Sequence, residues 1–135
     1  MSFLTKLEVN SVRNIEKIEL NLDPCLNMIF GINGSGKTSV LESIHLLATG
    51  RSFRTSKTES VISDASSELT IYAETGLKSG IGLTKSRNTK YKLKLDSKLQ
   101  RNWDLVARAL PVQVLSAISF LLLEGDPKSR RMFLD

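Results

Sequence analysis

The sequence predicts an α/β domain in which a mixed β-sheet, begun by an N-terminal antiparallel hairpin, packs against one central helix. Three observations support this fold class. Residues 5–10 and 17–22 each alternate apolar and polar side chains, as strands with one buried face do. Residues 26–30 form a short, mostly apolar run between loop signals, which is typical of a buried strand. Apolar residues over 40–48 recur at helical spacing, so a helix follows this run closely.

Turn and stop residues mark the boundaries of these first elements. The predicted hairpin turns at Arg13 and Asn14, and Pro24 ends its second strand. The central helix has one apolar face, made by Val40, Leu41, Ile44, Leu47 and Ala48. Gly50 follows this face and predicts the end of the helix.

The rest of the chain predicts short strands, a long loop and two further helices. Residues 51–68 are rich in Ser and Thr and predict a loop, with a few structured residues near 59–62. The predicted strands are 69–73, 81–85, 91–95 and 112–116. A helix over 102–110 is capped by Asn102, is ended by Pro111, and has one face made by Trp103, Val106, Ala107 and Leu110. A last helix is predicted to begin at Asp126 and Pro127.

A glycine-rich motif lies between the predicted strand at 26–30 and the central helix. Gly31 to Thr38 fit the pattern G-x-x-x-x-G-K-[ST] of phosphate-binding loops. The N–H groups of such a loop face phosphate oxygens, the lysine reaches the β- and γ-phosphates, and the hydroxyl residue binds Mg²⁺. The order strand, loop, helix disfavours a chance glycine-rich turn. The predicted nucleotide-binding residues are Gly31, Ile32, Asn33, Gly34, Ser35, Gly36, Lys37, Thr38 and Ser39, with Thr38 as a Mg²⁺ ligand.

Size and composition place the chain among ordinary globular domains. Its 135 residues, 41% apolar and 24% charged, suffice for one domain with its own core. No run approaches the roughly 18 apolar residues of a membrane span, and the N-terminus does not have the pattern of a signal peptide. The single cysteine, Cys25, cannot form an internal disulfide, which suits a reducing compartment. We therefore expect a cytoplasmic protein that has no contact with a membrane.

The excess of positive charge is concentrated in residues 76–101. This basic segment carries eight Lys and Arg residues against one acid, Asp96, within a chain of net charge +5. Such a patch favours a polyanion such as DNA, through contacts to phosphates. A solvated hairpin face studded with lysine explains the same charge equally well. The candidate DNA-binding residues are Lys85, Arg87, Lys90, Lys92 and Lys94.

Other segments narrow the class of nucleotide-binding protein. The chain lacks the N-K-x-D signature by which GTPases read guanine, and no lid of a small-molecule kinase can be located. Asn33 and Ser35 give the loop the form G-x-N-G-S-G-K-[ST], which resembles that of ABC and SMC-type ATPases. The stretches LEVNSVRNIEKIEL, LESIHLLATGRSFRT and LLLEGDPKSRRMFLD resemble the N-terminal part of the RecF family over essentially the whole chain, more loosely over about 56–100.

The resemblance implies a fold, ligands and partners. The fold is lobe I of an ABC/SMC-type head, and residues 1–135 form the ATP-binding lobe of a RecF-like ATPase. ATP and Mg²⁺ are the expected cofactors. Arg13 and Asn14 occupy the turn that contacts the nucleotide in the family, and Gln113 falls at the Q-loop position that holds Mg²⁺ and the attacking water. The expected partners are duplex DNA beside a single-stranded gap, RecR and RecO, and, in the full-length protein, a second copy joined through ATP, in DNA repair and the SOS response.

Departures from the family pattern limit the expected activity. Ala117 and Ile118 stand where the family usually has proline and an acid. The Walker B aspartate, catalytic glutamate, signature motif and second lobe of the family fall after Asp135, and we reject 120–126 as a substitute Walker B. The full-length protein is expected to be an ATPase, whereas we expect this chain to bind ATP weakly and hardly hydrolyse it. His45 is predicted to be a surface or boundary residue without a catalytic role.

Two alternatives remain open. An SMC-type head would carry the same loop, with coiled-coil heptads following the Q-loop. A non-catalytic module would instead use the basic segment to bind DNA or a protein, and its DNA binding would ignore ATP.

Overall fold

The computed structural model describes residues 2–116. The predictions made for Ala117 and Ile118, for 120–126 and for a helix from Asp126 lie outside these residues. In chain order the elements are β1 (Leu4–Val12), β2 (Ile15–Asn21), α1 (Lys37–Thr49), a 3-10 turn (Thr58–Val61), β3 (Glu68–Thr75), β4 (Gly80–Ser86), β5 (Lys92–Leu95), β6 (Lys98–Gln100) and α2 (Asp104–Ala109).

The strands form one six-stranded sheet in the order β2-β1-β3-β4-β5-β6. Every pairing in it is antiparallel, so the predicted mixed sheet is wrong for the described residues. The predicted N-terminal hairpin is confirmed: Val12 pairs with Ile15, and Arg13 and Asn14 form the turn between them. The strands predicted at 69–73, 81–85 and 91–95 form as β3, β4 and β5, within a residue or two of their expected ends.

The core lies between one face of the sheet and α1. Strand residues with alternating numbers supply the inner face, and their fully buried members include Leu7, Ile71, Ile81 and Leu83. Helix α1 packs on this face against β1, β3 and β4. Leu41 departs from the predicted helix face, since its side chain is about half exposed while Leu46 is buried in its place.

The C-terminal end of α1 is closed by Gly50 and covered by α2. Gly50 has φ of 72° and caps the helix with a bond from its N–H to the carbonyl of Leu46, as predicted. The indole N–H of Trp103 donates to the carbonyl of Leu47 at 3.1 Å, which ties α2 to this end. Asn102 accepts from the N–H of Asp104, although Trp103 is the N-cap residue.

Two apolar segments that predict strands remain irregular, at 26–30 and 112–116. The first follows a tight polar turn, in which the Asp23 carboxylate accepts from the N–H groups of Cys25 and Leu26. No described strand pairs with either segment, so neither gains ladder hydrogen bonds. The side chain of Phe30 is 86% exposed.

Ala107 is exposed and does not join the predicted apolar face, of which Val106 and Leu110 are buried and Trp103 packs partly buried against the core. Within residues 2–116, neither helix combines the length and the hydropathy that a membrane span requires.

Candidate phosphate-binding site

The glycine-rich loop closes around the N-terminus of α1. Gly34 and Gly36 have φ of 81° and 98°, a region that side chains with a Cβ rarely enter. A Cβ at Gly36 would lie 3.3 Å from Ile15 and 3.5 Å from Asn14, so glycine also permits close packing on the hairpin. The first turn of α1 contains no acidic residue, and the helix has no side-chain cap. Its N-terminal N–H groups therefore favour an anion.

Lys37, Thr38 and Ser39 have different surroundings on the first turn of α1. The Lys37 ammonium donates to the carbonyls of Gly31 and Ile32, both at 2.7 Å, and so spans the loop. Thr38 is exposed toward the cleft that the loop forms. Ser39 is buried, and its hydroxyl donates to Asn14 at 3.2 Å. Thr38 thus remains the hydroxyl suited to a metal, while Ser39 supports the hairpin.

The turn of the β1–β2 hairpin lies directly against the loop. The side-chain amide of Asn14 donates to the carbonyl of Gly34 at 2.8 Å while its oxygen accepts from Ser39. Asn14 therefore joins the hairpin, the loop and α1, and it holds Gly34 in place. This contact is local support for the loop, whatever else Asn14 binds.

Arg13 is held in an unusual backbone conformation at the same turn. Its φ is 53°, and its N–H donates to the carbonyl of Val61 at 2.8 Å. One of its guanidinium nitrogens donates to the carbonyl of Ser60 at 3.2 Å. Two others reach the Glu42 carboxylate, at 2.9 and 3.1 Å. The 3-10 turn and α1 thus fix both the backbone and the side chain of Arg13.

A buried carboxylate, Glu42, connects three segments beneath the site. It is fully buried on α1 and accepts hydrogen bonds from Arg13, Ser52 and Arg54. Burial disfavours its charged form and raises its pKa. The hydrogen bonds from Arg13 and Ser52 and the charges of Arg13 and Arg54 outweigh this effect, so the pKa of Glu42 lies below its ordinary value. Glu42 is therefore a paired anion that anchors cations.

These elements enclose a cleft of about 330 Å³. The residues that line it are Arg13, Asn14, Asn33, Gly34, Gly36, Lys37, Thr38, Ser39 and Arg54. All are polar or glycine, three are cations, and no carboxylate lines the cleft. A polyphosphate with a hard cation fits this lining, because N–H groups, an ammonium, guanidinium groups and a hydroxyl face one space.

The structure brings most, but not all, of the predicted site residues together. Gly31, Ile32 and Ser35 do not line the cleft, although the carbonyls of Gly31 and Ile32 accept from Lys37. Gln113 is exposed in the irregular segment after α2 and is not part of the cleft lining. Half-buried His45 lies 2.7 Å from the carbonyl of Arg51 through its Nδ1, as expected of a boundary residue.

Two residues of the site, Glu42 and Arg54, were not predicted. Glu42 lies on α1, and helical periodicity alone indicates no chemical role for this position. Its partner Arg13 is 29 residues away in the sequence. Arg54 lies in the predicted loop over 51–68, within the stretch GRSFRT that carries the resemblance to RecF. The signal available in the sequence was this stretch, which carries part of the resemblance to the RecF family but indicates no role for Arg54.

The basic segment divides into internal and exposed cations. Lys85 is buried, donates to the carbonyl of Thr89, and lies 5.5 Å from the ring centre of Tyr91. Arg87 donates to the carbonyls of Ser63 and Ser66, at 3.0 and 3.2 Å. These two candidates for DNA binding therefore hold loops together.

Lys90, Lys92 and Lys94 are the exposed candidates. Lys92 and Lys94 pair with Thr84 and Gly82, so they occupy the face of the sheet opposite the core. Lys94 lines a second cleft there, of about 390 Å³, together with Tyr72, Gly80 and Gly82. We refer to Lys90, Lys92 and Lys94 as the outer lysines.

Comparison with known proteins places the fold and the loop in a family. Residues 3–117 match the RecF/RecN/SMC N terminal domain. Because this match covers most of the chain, the chain belongs to that family.

Within the family, the chain is similar to RecF, as the sequence predicted. It is 40% identical, over 98% of its length, to the DNA replication and repair protein RecF of Pseudomonas paraeruginosa. The corresponding protein of Pseudomonas savastanoi pv. phaseolicola is also 40% identical over 98% of this chain. The chain spans 37% of the length of each of these relatives.

Solved structures share the fold. The recombination mediator protein RecF-ATPrS of the RecFOR pathway superposes with a TM-score of 0.84 at 24% identity, over 99% of this chain and 37% of that one. A structure from work on ATP-driven dimerization and DNA stimulated activation of SMC ATPases gives 0.80 at 16% identity, over 98% of both chains. The predicted ABC/SMC-type head fold is confirmed.

Proposed function

We propose that this chain is the ATP-binding lobe of a RecF-like protein of DNA replication and repair. One observation carries the proposal: the cleft at the N-terminus of α1 gathers Arg13, Lys37 and Arg54 around a glycine-rich loop. Such a lining recognises the phosphates of a nucleotide. Solved structures of RecF-ATP and RecF-ATPrS resemble this chain, so ATP is the nucleotide to test first.

Several residues of the cleft have distinct parts in this function. Lys37 leaves the carbonyls of Gly31 and Ile32 to pair with the β- and γ-phosphates, while the N–H groups of the loop bind their oxygens. The Thr38 hydroxyl would hold Mg²⁺, which would neutralise phosphate charge. Asn14 keeps the loop in its curled form through Gly34. Gln113 would join this set only if it moved to the cleft.

Binding without appreciable hydrolysis is the expected behaviour of this chain. Hydrolysis needs a base or another group that orients the attacking water. No carboxylate lines the cleft among the described residues, and Glu42 is engaged with two arginines and a serine. The described residues therefore provide phosphate binding and charge neutralisation but not proton transfer.

DNA is the macromolecular partner that we propose, with the outer lysines as its contacts. They are exposed, lie outside the core, and carry a charge that attracts a phosphate backbone. In the full-length protein, ATP would join two copies face to face, the pair would close on duplex DNA beside a gap, and hydrolysis would release it. RecR and RecO are the proposed protein partners, and the cytoplasm is the proposed compartment.

The alternative of an SMC-type head is supported by the shared fold and less by sequence. Identity to the SMC ATPase structure is 16%, against 40% to the RecF of Pseudomonas paraeruginosa. We therefore favour a RecF-like function. A module that binds DNA without regard to ATP is the third possibility, and it predicts equal DNA affinity with and without the nucleotide.

Isothermal titration of the chain with ATP and Mg²⁺ tests the proposal, with phosphate release measured on the same sample. We expect saturable binding of one ATP per chain and turnover near the uncatalysed background. Absence of binding would contradict the proposed function. Turnover at rates of about 1 s⁻¹ or more, common among enzymes, would contradict the claim that binding is not followed by hydrolysis.

A further inference from the structure

We propose that the second cleft, on the face of the sheet opposite the core, holds one unpaired base of single-stranded DNA against the ring of Tyr72. The inference rests on the DNA binding proposed above, and it adds a site for a single strand to the duplex contact of the outer lysines. The cleft is lined by residues of β3, β4, β5 and the turns that join them. We refer to it as the outer cleft.

Two glycines within β4 make room for the outer cleft. Gly80 and Gly82 alternate with the buried Ile81, so both face outward, and Gly82 is paired with Tyr72. A Cβ at Gly80 would lie 2.8 Å from the Tyr72 hydroxyl, so fitting the tyrosine requires glycine there. A Cβ at Gly82 would lie 3.9 Å from the nearest atom, a carbon of the Tyr72 ring. Internal packing therefore does not require glycine at Gly82, although glycine weakens a strand, and such a position often marks the approach of a ligand.

Tyr72 provides an aromatic surface beside this open space. It is 36% exposed, and its hydroxyl donates to the Glu74 carboxylate at 3.1 Å. This bond holds the ring along β4, next to the two glycines. Every base has a flat π-face, and stacking of one base on an aromatic side chain strengthens binding about tenfold or more. The outer cleft can thus bind a base of any identity.

The charges around the outer cleft favour a nucleic acid strand over a free polyphosphate. Lys78 and Lys94 line it, and no ion pair within residues 2–116 involves either of them. Asp96 also lines it, and its carboxylate accepts from the N–H of Gly80 at 2.9 Å and from the Ser79 hydroxyl at 3.3 Å. Two ammonium groups against one carboxylate is a weak excess of positive charge. An uncharged base suits the cleft itself, while the phosphates on either side of the base reach the lysines.

A double helix does not offer this site what it needs. The bases of a duplex are paired and stacked on one another, so the Tyr72 ring could contact a base face only after unstacking, which costs free energy. An unpaired base carries no such cost. The outer cleft should therefore select single-stranded DNA.

Fluorescence anisotropy of the chain with three labelled probes tests this inference. The probes are an oligothymidine strand, an abasic strand of the same length and a duplex. We expect Tyr72→Leu to weaken binding of oligothymidine about tenfold, because it removes the stacking surface. Binding of the abasic strand and of the duplex should not change. The dependence of oligothymidine binding on salt should also stay the same, because the substitution removes no charge.

A matched pair of substitutions in β4 tests the open space itself. Gly82→Val fills the outer cleft, whereas Thr84→Val places the same side chain on the same face of β4 outside it. We expect Gly82→Val to weaken binding of oligothymidine about tenfold and Thr84→Val to bind like wild type. Equal affinities in these two variants would overturn the inference.

The other contrary outcomes separate this inference from the proposed function. Wild-type affinity of Tyr72→Leu for oligothymidine, with ATP and duplex still bound, would overturn the inference alone. An equal loss for the abasic strand would overturn the assignment to a base, and an equal loss for the duplex would overturn the selection of a single strand. If the wild-type chain binds none of the three probes, the proposed binding of DNA fails together with this inference.

Thermal unfolding followed by circular dichroism separates binding from folding. Tyr72 lies on the exposed face of the sheet, so Tyr72→Leu should fold, and if it does not, Gly82→Val decides the question. Tyr72→Phe keeps the ring and loses the bond to Glu74, so it should bind oligothymidine nearly as wild type does. A tenfold loss in this variant would mean that the hydroxyl binds DNA, and it would overturn the stacking role.

Discussion

The cations of the cleft and the outer lysines are two positively charged regions on opposite sides of the sheet. In the cleft, Arg13 is fixed by Glu42 and Ser60, and Lys37 by two loop carbonyls. The outer lysines extend from the exposed face of β5 and the turn before it. The two regions therefore differ in how their charges are held more than in how many charges they have.

This difference separates two modes of binding anions. A cation such as Arg13, whose geometry is set before binding, loses little conformational entropy and favours a ligand of matching shape. Exposed lysines on flexible stems act as point charges, and their attraction to a polyanion falls steeply with salt. The cleft should thus recognise a particular polyphosphate, whereas the outer lysines should bind DNA with little dependence on sequence.

The largest effect should follow from breaking the support of the cleft. Glu42→Ala leaves Arg13 and Arg54 without their buried partner, so we expect the free energy of unfolding to fall by about 3–5 kcal/mol. Chemical denaturation measures this change. Glu16→Ala, on the exposed side of β2, is the control and should change it by less than about 0.5 kcal/mol. Equal effects would mean that the Glu42 network does not stabilise the fold.

Removing the ammonium of the cleft should have the next largest effect. Lys37→Ala should weaken ATP binding about a hundredfold, because two charge-assisted contacts to phosphate are lost. Calorimetric titration measures this change, and circular dichroism checks that the variant folds. Lys17→Ala, on exposed β2, should bind ATP normally. Near-normal affinity in Lys37→Ala would mean that the nucleotide binds elsewhere.

Neutralising the outer lysines should have a smaller effect, and it should change only the binding of DNA. The triple change of Lys90, Lys92 and Lys94 to Ala should reduce the slope of log affinity against log salt by about 0.9 for each lysine that contacts a phosphate. Fluorescence anisotropy of labelled duplex DNA over a range of salt concentrations gives this slope. ATP affinity should not change. An unchanged slope would mean that DNA contacts another part of the chain. Lys57→Ala, which also removes an exposed lysine, is the control.

The smallest effect should be the dependence of stability on pH through Glu42. Its pKa is lowered in the folded chain, so its contribution to stability is fully present above the unfolded pKa of about 4.3. That contribution is lost as the pH falls further, toward the folded pKa. Denaturation of wild type and Glu42→Gln between pH 7 and pH 3 compares them. Wild type should lose more stability in acid, and parallel curves would contradict the lowered pKa.

Local patterns predicted much of this molecule. The loop from Gly31 and the helix stop at Gly50 follow from residue types that permit positive φ. Alternation of apolar and polar residues predicted β1 and β2, and α1 packs against the buried face of the sheet at β1, β3 and β4. These features depend on residues that are close together in the sequence, so they can be predicted from the sequence alone.

What local patterns missed depends on distant partners. Residues 26–30 have the composition of a buried strand, but a strand forms only where another strand supplies hydrogen bonds, and none of the described strands does so. Lys85 was counted as surface charge, although the pairing of β4 turns it inward toward Tyr91. Glu42 and Arg54 meet through the fold, across a separation of 12 residues that no periodicity marks.

Competition for the cleft tests the central claim most directly, namely that this chain binds ATP through its phosphates. In a titration that follows ATP bound to the chain, inorganic tripolyphosphate should displace ATP, and adenosine at the same concentration should not. This result is expected because every residue that lines the cleft is polar or glycine, and three of them are cations. Displacement by adenosine but not by tripolyphosphate would contradict the claim.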